Sequence, residues 1–183
     1  MTSTAPFASR FSTAKRVTAL TGAGLLTAVG LAFAVPTSAS AATYTCNGKV
    51  ATIVGTDRAD EIEGTRGDDV IVGLGGSDEI DGNGGNDTIC GNGGNDEIDG
   101  GSGNDWLQGG AGNDLVDGHT GNDQLEGGSG NDTLRGDAGN DLLEGNSGSD
   151  KLSGGAGTDI TRQGSASDSV EDRWERQYRG DDD

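Results

Sequence analysis

The chain has 183 residues, of which 36 are glycine, and its formal net charge is −19. A chain this acidic excludes nucleic acid and anionic membrane surfaces as electrostatic partners. It has one histidine and no nucleophile motif, so no catalytic triad can be assigned and we predict that the protein is not an enzyme.

Residues 1–41 have the layout of a secretory signal peptide. Three basic residues precede a mostly apolar stretch at 17–35, and Ala39-Ser40-Ala41 has the small-x-small form of a cleavage site. The alternative is a transmembrane anchor, but several threonines and glycines dilute the stretch. We therefore predict an extracellular protein with no membrane span after cleavage. Losing the three basic residues and no acid would lower the net charge from −19 to −22.

Residues 42–54 form a short N-terminal cap segment. Ile53 falls in the frame of the repeats that follow, but Ala51 stands where each repeat carries an aspartate. The segment is predicted to add one strand that covers the N-terminal end of the repeat array without a metal-binding turn.

Residues 55–162 are twelve consecutive copies of a nine-residue repeat, clearest at Gly100–Gln108. Glycine opens every copy, and position 6 is aspartate in all twelve. Position 4 is glycine except at Arg58, and position 8 is Ile, Leu or Val except at Thr161. Self-similarity at a fixed period indicates a repeat architecture.

Each repeat combines a turn with a short strand. Positions 7 to 9 predict a three-residue strand whose apolar middle residue points opposite to its neighbours. Positions 1 to 6 are rich in turn residues, and the asparagine at position 5 of seven copies suits a left-handed conformation. Two repeats complete one circuit, so strands 18 residues apart stack into two parallel sheets. The expected class is all-β.

This stacking brings like charges together. Each column of turns would place six aspartates at the strand spacing of about 4.8 Å. Neighbouring like charges at that distance cost on the order of 1 to 4 kcal/mol per pair. One aliphatic residue in nine offers little to offset this cost. A hard divalent cation bound by carboxylate and carbonyl oxygens would offset the repulsion between the aspartates. The flexible geometry of such a site favours calcium over magnesium.

The repeat resembles the G-G-x-G-x-D-x-U-x nonapeptide of the RTX, or hemolysin-type, calcium-binding repeat family. The resemblance implies a right-handed parallel β-roll in which position 6 aspartates and turn carbonyls hold calcium between successive turns on the same side. Six turns per side leave five gaps, so up to about ten ions fit the pattern. The aspartates it identifies as metal ligands are Asp60, Asp69, Asp78, Asp87, Asp96, Asp105, Asp114, Asp123, Asp132, Asp141, Asp150 and Asp159.

The two ends of the array are irregular. Arg58 replaces a turn glycine in the first copy, and Thr161 replaces the core residue of the last. We therefore expect the aspartates from Asp69 to Asp150 to form the regular part of the site, with Asp60 and Asp159 at its margins.

Cys46 and Cys90 are the two cysteines of the chain. In a secreted protein two cysteines are most simply a disulfide, and the alternative is two free thiols. A regular continuation of the coil would hold them too far apart to bond. A bridge therefore requires residues 43–50 to fold back along the outside of the coil.

Residues 163–183 leave the repeat and form an acidic tail. Val170, Trp174 and Tyr178 recur every four residues, which indicates one face of a short helix. Such a helix could cap the C-terminal end of the array, since solenoid ends need covering. The alternative is a disordered tail, because so short a helix is marginal alone.

The function predicted from the sequence is extracellular calcium binding, with folding coupled to the metal. The alternative is a calcium-stabilised module for adhesion or for binding a matrix or polysaccharide. No partner other than calcium can be named from the sequence.

Overall fold

The computed structural model describes residues 43–164 and the backbone of Lys15–Thr18. Within those residues every regular element is a strand, and none forms a helix that could span a membrane. The strands are β1 (Lys15–Thr18), β2 (Thr45–Cys46), β3 (Lys49–Val50), β4 (Ile53–Val54), β5 (Asp60–Glu63), β6 (Val70–Gly75), β7 (Glu79–Asp81), β8 (Thr88–Gly93), β9 (Glu97–Asp99), β10 (Trp106–Ala111), β11 (Leu115–Asp117), β12 (Gln124–Ser129), β13 (Thr133–Ala138), β14 (Leu142–Ser147), β15 (Lys151–Ala156) and β16 (Ile160–Arg162).

The chain winds between two parallel sheets and forms a β-solenoid of about six circuits. The first sheet has the order β1-β5-β7-β9-β11-β13-β15, and the second has the order β16-β14-β12-β10-β8-β6-β4. The register between neighbouring strands is 18 residues throughout the repeats, as in Leu107↔Leu125. The predicted all-β parallel roll is confirmed.

The core is a single row of aliphatic side chains between the sheets. Ile53 of the cap segment begins the row and position 8 of the repeats supplies the rest, which are at most 1% exposed from Ile71 to Leu143. These side chains pack against one another between the two sheets, which removes the apolar surface of each circuit from water. The row ends at Leu152, which is only partly buried.

Many strands are longer than the predicted three residues. Seven of them have six residues and continue through positions 1 to 3 of the next repeat; β10, for example, pairs Gly110 with Gly128 and Ala111 with Ser129. A residue with positive φ at position 2 accompanies this continuation, and it is Leu74 in β6, Asn92 in β8 and Gly110 in β10. Gly110 has φ +116°, a conformation that residues with a side chain rarely adopt.

The N-terminal segment lies on the outside of the roll. β4 pairs in parallel with β6 and places Ile53 in the core. Ahead of it, β2 and β3 form an antiparallel hairpin around Asn47-Gly48, both with positive φ. The hairpin brings Cys46 to Cys90, and the two form a disulfide with a Cα–Cα distance of 5.8 Å. The fold-back that a bridge requires is therefore present.

The strand β1 lies within the predicted leader. It pairs in parallel with β5, aligning Lys15 with Asp60, whereas the sequence placed all of 1–41 outside the fold. The physical reason is that β5 is otherwise the edge strand of the first sheet, and its free backbone groups pair with any extended segment. The cleavage motif at 39–41 and the predicted tail helix lie outside the described residues, so both remain predictions.

Candidate metal centre

The position 6 aspartates line up in two columns. One column lies in the turns that precede the strands of the first sheet, and the other in the turns that precede the strands of the second sheet. Along a column, from Asp78 onward, each carboxylate Oδ1 accepts a hydrogen bond from the backbone N–H of the aspartate 18 residues earlier. Asp78 Oδ1 accepts from Asp60 at 2.9 Å, and Asp123 Oδ1 accepts from Asp105 at 2.8 Å. The same bond recurs from each circuit of the solenoid, called a rung here, to the next. The backbone therefore fixes these carboxylates in one orientation.

The second oxygen of these carboxylates has no partner. From the third repeat to the eleventh, Oδ2 is buried and accepts no hydrogen bond. The residues themselves are at most 4% exposed. A buried charged oxygen without a partner costs free energy that the described side chains do not repay. The nine residues concerned are Asp78, Asp87, Asp96, Asp105, Asp114, Asp123, Asp132, Asp141 and Asp150.

Each unpartnered oxygen faces the glycine that opens its own repeat. A Cβ built on Gly73 would lie 2.6 Å from Asp78 Oδ2 and 2.8 Å from the carbonyl oxygen of Gly91, which belongs to the next rung. Gly82 shows the same arrangement with Asp87 Oδ2 and the Gly100 carbonyl. Glycine is required at position 1 because any side chain would fill this space. What remains is a small cradle walled by oxygens from two successive rungs.

Burial raises the pKa of these carboxyl groups. Desolvation is the largest cause and Coulomb repulsion along the column adds to it, against the backbone hydrogen bond that lowers the pKa. The pKa of Asp78 and of Asp114 rises to about 6, and that of Asp87 and of Asp123 to about 7. The pKa of Asp96, Asp105, Asp132 and Asp141 is also raised. The columns thus favour neutralisation by a proton or a cation.

The first two turns differ from the inner ones. Asp60 Oδ2 accepts hydrogen bonds from the backbone N–H and hydroxyl of Thr56, both at 2.7 Å. Asp69 Oδ2 accepts the same pair from Thr65, at 2.7 and 2.8 Å. The sequence grouped Asp69 with the inner ligands, but threonine already satisfies its second oxygen. The threonine at position 2 of these two repeats is the sequence feature that distinguishes their aspartates from the inner ones.

The last aspartate of the array is also distinct. Asp159 Oδ1 accepts the N–H of Asp141 at 3.0 Å, but the residue is only half-buried because no rung follows it in the described chain. The sequence placed Asp159 at the margin of the site, and its part in binding a metal stays a prediction.

The asparagines at position 5 do not take the left-handed conformation predicted for them. Positive φ occurs instead at position 2, for example at Asn83 and Asn92, and at position 4 glycines such as Gly94. The position 5 side chains form ladders: Asn86 Oδ1 accepts the N–H of Asn104 at 2.9 Å, and Asn104 Oδ1 accepts that of Asn122 at 2.7 Å. These ladders hold successive turns in register and so keep the cradles aligned.

The set of donors fits calcium. Calcium takes six to eight oxygen ligands at about 2.3–2.6 Å in flexible geometry, including carboxylates and backbone carbonyls. The cradles offer both, and the unpartnered Oδ2 atoms are the carboxylate oxygens available to such an ion.

A family model described as the RTX calcium-binding nonapeptide repeat (4 copies) matches residues 54–89, 91–125 and 126–160. The matched ranges contain both columns of aspartates and cover more than half of the chain. A search of curated proteins found no match.

Proposed function

The chain belongs to the RTX calcium-binding nonapeptide repeat family, and on that premise we propose that it is an extracellular calcium-binding protein whose folding is driven by the metal. The calcium ions are held between successive turns on the same side. The inner position 6 aspartates, from Asp78 to Asp150, supply the carboxylate oxygens. Asp60 and Asp69 contribute less, because threonine already occupies their second oxygen.

One observation carries this proposal: nine buried carboxylate oxygens without a partner, stacked in two columns. A folded protein does not maintain such a set unless something neutralises it. When bound, calcium supplies the positive charge that offsets the repulsion along each column. Five gaps in each column make ten ions the upper limit, and the nine unpartnered oxygens make about nine the expected number.

The rest of the protein sets up these cradles. The row of position 8 side chains and the backbone ladders hold the turns at one spacing. The glycines keep side chains out of the cradles. The disulfide fastens the hairpin to the outside of β8, so it stiffens the N-terminal rungs independently of the metal. The role that this arrangement favours is calcium-dependent structure rather than catalysis.

Acid is expected to substitute in part for calcium. In the fold the pKa of Asp78 is about 6 and that of Asp87 is about 7, against an ordinary value near 4 in an unfolded chain. The folded state therefore binds more protons between these pH values, so the calcium-free fold is most stable below about pH 4 and loses that stability as the pH rises through about 7. In saturating calcium the order reverses, because protons compete with the metal.

The measurement is thermal unfolding at pH 5 and pH 8, made on protein stripped of calcium by dialysis and again on protein in excess calcium. We expect the stripped protein to show more β structure and a higher Tm at pH 5. The loaded protein should have the higher Tm at pH 8. The same order in both series would show that the buried aspartates are not the calcium ligands.

A further inference from the structure

The only histidine of the chain lies among aspartates on the outer face of the first sheet. His119 follows β11, and its side chain is 44% exposed. Its Nε2 is 3.4 Å from Asp99 Oδ1, and its Nδ1 is 3.8 Å from both Asp117 Oδ1 and Asp137 Oδ2. The sequence alone assigned no role to this histidine. The 18-residue period brings these carboxylates to it.

The local structure fixes two of these groups. Asp117 is 8% exposed, and its Oδ1 accepts the backbone N–H of His119 at 3.3 Å. Its Oδ2 faces the other way, 3.8 Å from the Arg135 guanidinium. Oδ1 is therefore the oxygen turned towards the imidazole. One rung earlier the residue equivalent to His119 is Gly101, which has no side chain between the imidazole and Asp99.

This part of the sheet carries an excess of negative charge. Asp81, Asp99 and Asp117 are adjacent across β7, β9 and β11, and Arg135 on β13 is the neighbouring cation. Burial raises the pKa of Asp99, and His119 beside it partly offsets that rise.

We propose that Asp99, Asp117 and His119 form a site for one divalent first-row transition ion such as Zn²⁺, separate from the calcium columns. One ligand atom from each residue lies within 4.8 Å of the others. An imidazole nitrogen favours zinc, which takes nitrogen and carboxylate ligands, over calcium, which takes oxygen alone. Asp137 lies where a carboxylate can orient a ligating imidazole through its other nitrogen.

The site is open to water on one side, since the side chains of Asp99 and His119 are 46% and 44% exposed. Three protein ligands with the remaining position free for water is an arrangement that zinc accepts. The proposal does not depend on the calcium function, because the three residues lie at positions 9 and 2 of their repeats and not at position 6.

The test is a calorimetric titration of the purified, untagged protein with zinc chloride in millimolar calcium, which keeps the fold loaded. The wild type is expected to bind one zinc equivalent, and H119N to bind it at least about tenfold more weakly. Asparagine suits the position: Asn83, the corresponding residue two rungs earlier, has φ 68° against 65° for His119, and its N–H bonds to Asp81 Oδ1 at 2.7 Å. H119N should therefore fold normally, which its circular dichroism in calcium will check.

Two further measurements complete the design. E97Q removes a charge from the outer face of β9 but leaves Asp99, Asp117 and His119 in place. It should therefore leave zinc binding unchanged. In the wild type, zinc should shift the imidazole proton resonances of the single histidine, a readout that needs no variant. The proposal is overturned if no zinc equivalent binds in calcium, if H119N binds as tightly as the wild type, or if the resonances do not move.

Discussion

Removing calcium at pH 8 is expected to abolish most of the β structure of this protein, and restoring millimolar calcium is expected to recover it. At that pH Asp78, Asp87, Asp114 and Asp123, whose pKa burial raises to about 6 or 7, are mostly ionised. Repulsion between stacked neighbours is on the order of 1 to 4 kcal/mol per pair. Summed over two columns, it matches or exceeds the roughly 5–15 kcal/mol by which a domain is usually stable.

The core is too thin to resist that repulsion. Each repeat buries only one aliphatic side chain while it orders nine residues, so apolar burial offsets little of the conformational entropy lost on folding. The free energy of calcium binding therefore decides the balance between the folded and the unfolded chain.

Far-ultraviolet circular dichroism with size-exclusion chromatography measures this transition. The chelated protein should give a coil spectrum and an expanded elution volume, and calcium should restore a compact β protein. Magnesium at equal concentration serves as the control and should restore less, because it demands a near-ideal octahedron. A chelated protein with the full β signal and an unchanged Tm would rule out coupling between folding and metal.

The second large effect is expected from D114N. Asp114 is 3% exposed, and its Oδ1 accepts the N–H of Asp96 at 2.9 Å. An asparagine keeps that hydrogen bond but replaces the unpartnered Oδ2 with an uncharged NH₂ group. In saturating calcium it should cost about 3 kcal/mol of unfolding free energy, comparable to breaking a buried ion pair. The calcium concentration at the folding midpoint should rise severalfold.

The matched control is D68N, which makes the same chemical change elsewhere in a turn. Asp68 occupies position 5, is exposed, and its Oδ1 accepts the N–H of Asn86 at 2.7 Å. Seven repeats already carry asparagine there, so D68N should change stability by less than about 0.5 kcal/mol. Urea unfolding of both variants in excess calcium makes the comparison. Equal effects would mean that only overall charge matters, and that Asp114 holds no ion.

The architecture could be predicted from the sequence because one short unit repeats without interruption. Glycine at position 1, aspartate at position 6 and an aliphatic residue at position 8 each have one physical role, and twelve copies leave no doubt about the frame. The row from Ile62 to Leu152 and the two columns of aspartates follow directly from that frame.

Other features depend on contacts that the nine-residue pattern does not contain. Thr56 and Thr65 satisfy Asp60 and Asp69, because a hydroxyl at position 2 reaches the carboxylate four residues on. The asparagine ladders use side-chain oxygens where conformational preference suggested a left-handed turn.

The hairpin around Asn47-Gly48 and the cluster around His119 were not predicted, for two different reasons. The hairpin could have been found, since Asn-Gly between strand-forming residues is a strong local signal. The cluster needed positions 9 and 2 to be compared across repeats 18 residues apart, which a search for local motifs does not do.

The most direct test of the account is to locate the ions. Crystals grown in calcium, with the anomalous scattering of the metal used to place it, should show two rows of peaks beside the unpartnered Oδ2 atoms of Asp78 through Asp150. We expect about nine peaks and no more than ten. An ordered roll without peaks in these cradles, or with calcium only on its outer face, would contradict the central claim.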